Sequence, residues 1–515
     1  MKKHSSFRSV LILIMLLICL TLSVSAEEPE LNLDLEITYI EVDAPQEDVF
    51  SDSLPGINAA LMDLDTYLYT EMSKSTARID VRAYNLSESG LTEAIINVRY
   101  NHPDLFYVSK YFEYGTSNGR VVEVYPDYTM SGSTLTTARA VYEQKLNEIM
   151  SLVDPNWSEL EKILFFNDYL VTHFAYDTTY NNYDAYSFLT EGTGVCQAYY
   201  LTCKALLDKC LISSGYGRSD NANHVWNLVK IGNDWYHMDV TWNDPLYDNY
   251  DIFGYAGHTY FLFSTQAMLS NPKTEERTDW KTNLESLEWC NDTRYDDLYW
   301  KTVDAPYAYV NGQWYYFADQ EIYVTSDPTK IGTVVIQLDD WPVVGTPNFH
   351  YEDSFSGLGQ YKNWMIYNTA HEVIAYDPIT GKTEILFEET EAGLDIYGLV
   401  VTDSNVVCIL NTALYGNDAS VYKKETIPLS RLDIAQSRTY HGITVQETEG
   451  TVTITGTSTD DELFWIMVSG YTENMQLCDI KVVRSDQLEE TVISWTMEGK
   501  TIKLFILSDD YCPVG

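Results

Sequence analysis

The sequence predicts an α+β fold, with helices concentrated in the first half of the chain and strands in the second. A run of helix-favouring residues at 196–209 is followed by two β-branched and aromatic segments that a Gly-Asn turn joins. After about residue 290, short apolar runs alternate with turn residues. We therefore expect a helix packed on an antiparallel sheet, followed by all-β modules.

The predicted helix begins at a cysteine. Gly192 and Gly194 interrupt the chain just before Cys196, and helix-forming residues follow it for about four turns. At a helix N-terminus, the unpaired backbone N–H groups and the macrodipole favour the thiolate form of a cysteine. Cys203 and Cys210 recur at seven-residue intervals and are predicted to be packing residues of the core.

The two segments after the helix form a predicted β-hairpin. NHVWNLVKI and DWYHMDVTW are joined by Gly232-Asn233, which suits a two-residue hairpin turn. If Ile231 pairs with Asp234, then His224 and Asp239 are diagonal neighbours on one face of the hairpin. The sequence thus offers Cys196 as nucleophile, His224 as base and Asp239 as the acid that orients it. The polar segment 212–223, ISSGYGRSDNAN, is predicted to be a loop.

Three motifs, TGVCQAYY, NHVWNLV and WYHMDVTWNDP, resemble those of the transglutaminase-like superfamily in order and spacing. The resemblance covers about residues 155–265, with EKILFFNDYLVTHFAYD before the motifs and HTYFLFS after them. It implies a papain-like fold of secreted bacterial type, and it assigns the same three roles to Cys196, His224 and Asp239. One departure is Ala198, where many relatives have glycine.

Some assignments at this site stay open. His237 lies on the same predicted face and is an alternative base. Gln197, Tyr186 and Asn182 are candidates for binding the substrate or its oxyanion. No cofactor or metal site is predicted, because no His and Cys cluster has ligand spacing. A calcium requirement stays open, although the sequence contains no DxDxDG loop.

Residues 1–26 have the pattern of a secretory signal peptide: a basic start, the apolar run VLILIMLLICL, and Val-Ser-Ala before an acidic stretch. The apolar run is short for a membrane span, and no transmembrane helix is predicted elsewhere. We therefore expect a secreted or cell-surface protein, with an uncleaved N-terminal anchor as the alternative. Without Cys19, seven cysteines remain, so at least one is free or pairs between chains.

Changes in composition and in the pattern of apolar residues divide the rest of the chain into regions. We predict an N-terminal α+β region at 27–150, the transglutaminase-like domain at 151–290, a β-rich repeat-like region at 291–432 and an Ig-like β-sandwich at 433–515. The β-rich region is predicted to be either propeller-like or an antiparallel sheet, since only about three blade-like units fit.

The net charge of −44 argues against nucleic acid and anionic membrane as partners. We expect a protein or peptide substrate, such as a cell-wall or surface polypeptide, attacked through a thioester on Cys196. The acceptor is an amine in a crosslinking enzyme and water in a peptidase or amidase, and the triad is the same in both. A non-catalytic cell-surface binding protein that retains the fold is the alternative. The oligomeric state stays open.

Overall fold

The computed structural model of the chain describes residues 36–39, 63–247, 250–284, 290–338, 341–342, 350–351, 357–391, 393–411, 423–433, 436–440, 443–448, 451–456, 464–471, 477–484, 493–496 and 501–508. The predicted signal peptide lies outside these residues. They divide into two compact units: the first runs to Val400 and includes Cys408–Glu425, and the second comprises Val401–Val407 and the residues from Thr426 onward.

The α-helices of the described residues all end before residue 271, as the sequence predicts. They are α1 (Leu64–Ser73), α2 (Glu88–Asn101), α3 (Gly132–Met150), α4 (Glu159–His173), α5 (Ala185–Glu191), α6 (Cys196–Lys209) and α7 (Thr265–Ser270).

The strands of the first half form small sheets between these helices. They are β1 (Glu36–Tyr39), β2 (Ile79–Asp80), β3 (Val108–Ser117), β4 (Arg120–Tyr128), β5 (Ala175–Tyr176), β6 (Thr193–Gly194), β7 (Ser214–Ser219), β8 (His224–Ile231), β9 (Asp234–Met238), β10 (Leu246–Tyr247) and β11 (Tyr250–Asp251). An N-terminal sheet has the order β1-β3-β4-β2, and an antiparallel sheet of order β7-β8-β9 lies beside α6.

Antiparallel strands dominate the described residues between 308 and 428, which confirms the expected β-rich region. They are β12 (Ala308–Val310), β13 (Gln313–Ala318), β14 (Glu321–Thr325), β15 (Thr333–Gln337), β16 (Trp341–Pro342), β17 (His350–Tyr351), β18 (Leu358–Tyr361), β19 (Trp364–Asn368), β20 (Glu372–Tyr376), β21 (Thr383–Glu388), β22 (Asp395–Val401), β23 (Asn405–Asn411) and β24 (Lys423–Pro428). Two four-stranded sheets follow the chain order, β12-β13-β14-β15 and β18-β19-β20-β21.

From residue 436 onward, the described residues of the second unit form two further antiparallel sheets. The strands of these sheets are β25 (Gln436–Tyr440), β26 (Ile443–Thr448), β27 (Thr451–Gly456), β28 (Phe464–Tyr471), β29 (Leu477–Arg484), β30 (Ile493–Thr496) and β31 (Thr501–Ser508). The sheet orders are β25-β26-β27-β30 and β29-β28-β31.

Helix α4 begins where its capping residues are found in the sequence. Ser158 Oγ accepts the backbone N–H of Glu161 at 3.3 Å, and Glu161 Oε2 accepts the backbone N–H of Ser158 at 2.7 Å. This capping box satisfies donors that the first helical turn leaves unpaired. The buried Leu160, Ile163 and Leu164 pack in the same core as α6.

Half of the segment 212–223 is strand β7 (Ser214–Ser219), so the prediction of a loop is wrong for those residues. Strand β7 pairs antiparallel with β8 and places Gly217 opposite Trp226. A Cβ at Gly217 would lie 2.5 Å from the Trp226 indole, so only glycine fits there without a shift. Arg218 is buried and forms an ion pair with Glu93 at 2.7 Å. This segment contains glycine and a charged residue at positions where a strand usually has apolar residues. The sequence pattern therefore does not predict a strand here.

The core around α4 continues past residue 290. Tyr307 and Trp314 are buried in the same hydrophobic cluster as α4 and α6. Trp314 Nε1 donates to Glu161 Oε1 at 2.8 Å, and the Tyr307 N–H donates to Asp168 Oδ2 at 2.7 Å. The boundary at 290 stays a prediction, but the first β-rich segment and the helices share one core.

Candidate active site

Helix α6 begins at Cys196, as predicted. Gly192 ends α5 in the left-handed region, with φ of 81°, and so turns the chain toward the cysteine. A Cβ at Gly194 would lie 2.5 Å from the Phe188 ring and 2.6 Å from the Ala198 Cβ, so the chain passes close to both. Cys196 therefore lies in the first turn of the helix, where the helix dipole favours an anion.

The predicted hairpin is confirmed. Ile231 pairs with Asp234 across the turn, and the ladder continues to Asn227 opposite Met238. Asp239 is the first residue after β9, and His224 is the first residue of β8. Both side chains therefore emerge at the same end of the hairpin.

The structure brings Cys196, His224 and Asp239 together. His224 Nε2 donates to Asp239 Oδ2 at 2.7 Å. Because the carboxylate occupies Nε2, the other ring nitrogen, Nδ1, is left for Cys196, whose side chain hydrogen-bonds with His224. All three are buried: Cys196 is 1% exposed, His224 3% and Asp239 0%.

The charges of the histidine and the aspartate stabilise each other. Burial alone would lower the pKa of His224 from 6.5, but the Asp239 carboxylate and the hydrogen bonds to Asp239 and Cys196 raise it to about 10. Burial alone would raise the pKa of Asp239, but the positive charges of His224 and Arg277 lower it. The pair is therefore an imidazolium and a carboxylate at neutral pH. An imidazolium beside a cysteine stabilises the thiolate.

Arg277 is a functional candidate that the sequence analysis missed. Its guanidinium is fully buried, with Nη1 2.9 Å from Asp239 Oδ2. The guanidinium carbon lies 4.6 Å from the Trp226 ring centroid and 4.7 Å from that of Trp242. The two tryptophans next to the histidine and aspartate motifs were the available signal, because facing indoles favour a cation.

Both ring nitrogens of His237 are hydrogen-bonded to residues other than Cys196. Trp226 Nε1 donates to His237 Nδ1 at 2.9 Å, and His237 Nε2 donates to Thr265 Oγ1 at 3.0 Å. Burial and the charge of Arg277 lower the pKa of His237 to about 3, so the ring is neutral. This arrangement fixes the Trp226 ring and does not favour His237 as the base.

The three substrate or oxyanion candidates have different surroundings. The Asn182 carbonyl accepts the N–H of Val195 at 3.0 Å, which braces the residue before the cysteine. The Tyr186 ring stacks on Phe106, with centroids 4.8 Å apart, and so has a packing contact. Gln197 is buried as the second residue of α6.

The neighbouring cysteines pack as predicted. Cys203 is buried in the core cluster, and Cys210 packs half-buried against it. Burial raises the pKa of both thiols, which disfavours their thiolates. Burial likewise raises the pKa of Cys290.

In the described part of the chain, no group of three or more His, Cys, Asp and Glu residues is arranged to hold a metal ion. A search of the same residues for a helix long and apolar enough to cross a membrane found none.

Comparisons with known proteins confirm the resemblance. Residues 148–240 match the family model of the transglutaminase-like superfamily. No curated protein matches the chain. A candidate cysteine protease from Cytophaga hutchinsonii is 17% identical, with a TM-score of 0.17, and the match covers 26% of this chain and 62% of that one.

Other solved structures match with equally low scores. The N-terminal domain of Nup159 is 7% identical with a TM-score of 0.14, over 39% of this chain and 57% of that one. Hsv2 from Kluyveromyces lactis is 9% identical with a TM-score of 0.12, over 40% and 58%. The chain thus covers less than two thirds of each of these structures.

Proposed function

We propose that the transglutaminase-like domain at residues 148–240 is a cysteine-dependent acyl transferase or hydrolase that acts on amide bonds of proteins or peptides. The observation that carries the proposal is the contact of His224 with both Cys196 and Asp239 at the start of α6. A nucleophile, a base and a group that orients the base are the parts that covalent acyl transfer needs.

The first half-reaction forms a thioester. The Cys196 thiolate attacks the amide carbonyl carbon, and the C=O electron pair moves onto the oxygen. When the tetrahedral intermediate collapses, the C–N bond breaks and the His224 imidazolium gives its proton to the departing nitrogen. The products are a free amine, an acyl group on Cys196 and a neutral His224.

The second half-reaction releases the acyl group. Neutral His224 takes a proton from the incoming water or amine as that group attacks the thioester carbon. The C–S bond then breaks, which restores the thiolate and the imidazolium. Asp239 stays ionised throughout, fixes the tautomer of His224 and stabilises its charged form.

The oxyanion needs donors close to the cysteine. The first N–H groups of a helix have no intrahelical acceptor, so those of Cys196 and Gln197 are candidates. The Gln197 side chain is a second candidate donor. Asn182 and Tyr186 are weaker candidates for substrate contacts, since each already has a structural contact.

The nature of the acceptor decides between crosslinking and hydrolysis. We favour a peptidase or amidase that meets a cell-wall or surface polypeptide outside the cell, because the N-terminal sequence has the pattern of an export signal. Incubation of the purified protein with peptides and a labelled primary amine separates the two outcomes, because only a transferase incorporates the amine.

One observation favours a second candidate function. Cys196 is only 1% exposed, so the thiol is covered in this conformation. A non-catalytic binding protein that keeps the fold would tolerate such a cover, whereas an enzyme must open it.

Thiol labelling tests the proposal. Iodoacetamide at pH 7 should alkylate Cys196 before Cys203, Cys210 and Cys290, whose thiolates are disfavoured by burial. Mass spectrometry of tryptic peptides measures the rate at each site. Cys196→Ala should abolish amide turnover, whereas Cys203→Ala is a matched control on the same helix. Equal slow labelling of all these cysteines in the folded protein would favour the binding protein.

A further inference from the structure

Arg277 is a buried cation with an uncommon set of neighbours. Its Nη1 lies 2.9 Å from Asp239 Oδ2 but off the direction of a hydrogen bond. Among the described residues, none of its three guanidinium nitrogens makes a hydrogen bond. A guanidinium that leaves water without hydrogen bonds is strongly destabilised unless other charges or rings compensate. The compensating groups should therefore be close by.

Two indole rings and one carboxylate supply that compensation. The guanidinium lies over the rings of Trp226 and Trp242, with its carbon 4.6 and 4.7 Å from their centroids. Trp226 is fixed in turn by its hydrogen bond to His237. A planar guanidinium that contacts two rings and a carboxylate has little freedom to move, so its charge has a fixed position relative to Asp239.

The Asp239 carboxylate that faces Arg277 also accepts a hydrogen bond from His224. Asp239 Oδ2 accepts from His224 Nε2 at 2.7 Å and faces Arg277 Nη1 at 2.9 Å, so two cations share one oxygen. Asp239 Oδ1 accepts the backbone N–H of Trp242 at 3.2 Å. Both oxygens are therefore held, and Trp242 contacts the arginine and the aspartate at once.

We propose that Arg277 is a positioning residue for the acyl-transfer reaction, which holds the Asp239 carboxylate ionised and directed at His224. This inference rests on the proposed function, and it adds a fourth member to the group of reacting and orienting residues. Arg277 acts through Asp239, since its guanidinium is fully buried against that carboxylate.

The other titratable groups around Arg277 do not take over its role. Besides His224 and Asp239, the charge of Arg277 acts on His237, which is neutral, and on Tyr260, whose pKa burial raises to about 12. Asp279 lies on the same short helical turn but accepts from Ser219 Oγ at 2.5 Å. Arg277 is therefore the positive charge that adjusts the His224–Asp239 pair.

Loss of that charge has a definite sign. The charge of Arg277 lowers the pKa of Asp239 and also lowers the pKa of His224. Without it, the carboxylate is protonated at a higher pH and the imidazolium loses its proton at a higher pH. Both limbs of a pH profile that depends on the pair should therefore move in the alkaline direction, by about one pH unit for a charge this close.

Three variants test the inference. Arg277→Met removes the charge and keeps an apolar side chain against the indoles, whereas Arg277→Lys keeps the charge without the planar fork. Arg218→Met is the matched control, because Arg218 is also buried but pairs with Glu93. The measurements are the pH profile of Cys196 alkylation by iodoacetamide and the NMR titration of the His224 ring, identified by comparison with His224→Ala.

We expect Arg277→Met to shift the acid limb of alkylation and the His224 midpoint upward by about one pH unit. Arg277→Lys should keep the acid limb and the His224 midpoint near their wild-type positions, but Cys196 should be alkylated more slowly. Arg218→Met should lower the stability of the protein without moving either the acid limb or the midpoint. An unchanged His224 midpoint in a folded Arg277→Met protein overturns the inference. Failure of wild-type Cys196 to label selectively would instead refute the proposed function, while the NMR midpoint still decides whether Arg277 acts on the pair.

Discussion

Replacement of Asp239 by asparagine is the sharpest test of the site, because it removes a charge at almost constant shape. The pKa of His224 is about 10, compared with an ordinary value of 6.5. At about 1.4 kcal/mol per pH unit, this difference corresponds to about 5 kcal/mol in favour of the imidazolium. In Asp239→Asn, burial and Arg277 both oppose that charge, so the pKa should fall below 6.5 and the ring should be neutral at pH 7.

The substitution should change how stability depends on pH. In the wild type, the raised pKa of His224 contributes stability that is fully present below pH 6.5 and is lost as the pH rises through about 10. In Asp239→Asn, the buried ring stays neutral, whereas the unfolded chain binds a proton below pH 6.5. The free energy of unfolding of this variant should therefore fall as the pH falls below 6.5. Urea unfolding at pH 6 and pH 10 measures how much the free energy of unfolding of each protein changes over this range, and the two changes should differ by about 5 kcal/mol.

Labelling of the cysteine should follow the same charge. Without an imidazolium at pH 7, iodoacetamide should alkylate Cys196 at least about tenfold more slowly. Asp168→Asn is the matched control, because Asp168 accepts from His258 Nε2 at 2.8 Å in a second buried pair and raises the pKa of that histidine. The control should alter stability but not labelling. Equal labelling profiles for wild type and Asp239→Asn would refute the reasoning.

Two further predictions concern the support of the site. Gly217→Ala places a Cβ 2.5 Å from the Trp226 indole, so the ring must move. This should lower the free energy of unfolding by about 1–3 kcal/mol, measured by urea unfolding. Because the displaced ring belongs to the site, Cys196 labelling measured by mass spectrometry should also be slower. A chain that ends at residue 290 loses Tyr307 and Trp314 from the core shared with α4, so it should not unfold in a cooperative transition. A chain that ends at residue 433 keeps both residues, so it should keep the fold of the first unit and the labelling of Cys196. A cooperative, reactive chain ending at residue 290 would show that the β-rich segment does not support the site.

The parts of the site that follow local rules could be predicted from the sequence. The start of α6 at Cys196 follows from the glycines before it, and the turn at Gly232 sets the register that brings His224 near Asp239. Arg277 could not be predicted in the same way. Its neighbours come from distant segments, and a buried arginine in a polar stretch has no periodic signal.

The fold shows the same division between local and distant causes. The capping box at Ser158 identifies the start of α4 because it needs only four consecutive residues. Strand β7 was missed because Gly217 is explained by a ring on the neighbouring strand. The core past residue 290 was missed because Trp314 reaches Glu161 across about 150 residues of sequence.

In the proposed reaction, the burial of Cys196 bears on which acceptor reaches the acyl group. With Cys196 1% exposed, a thioester formed there would be shielded from bulk water for as long as the cover stays in place. In the proposed reaction, the acceptor is then decided by how many water molecules, compared with amine molecules, reach the buried thioester.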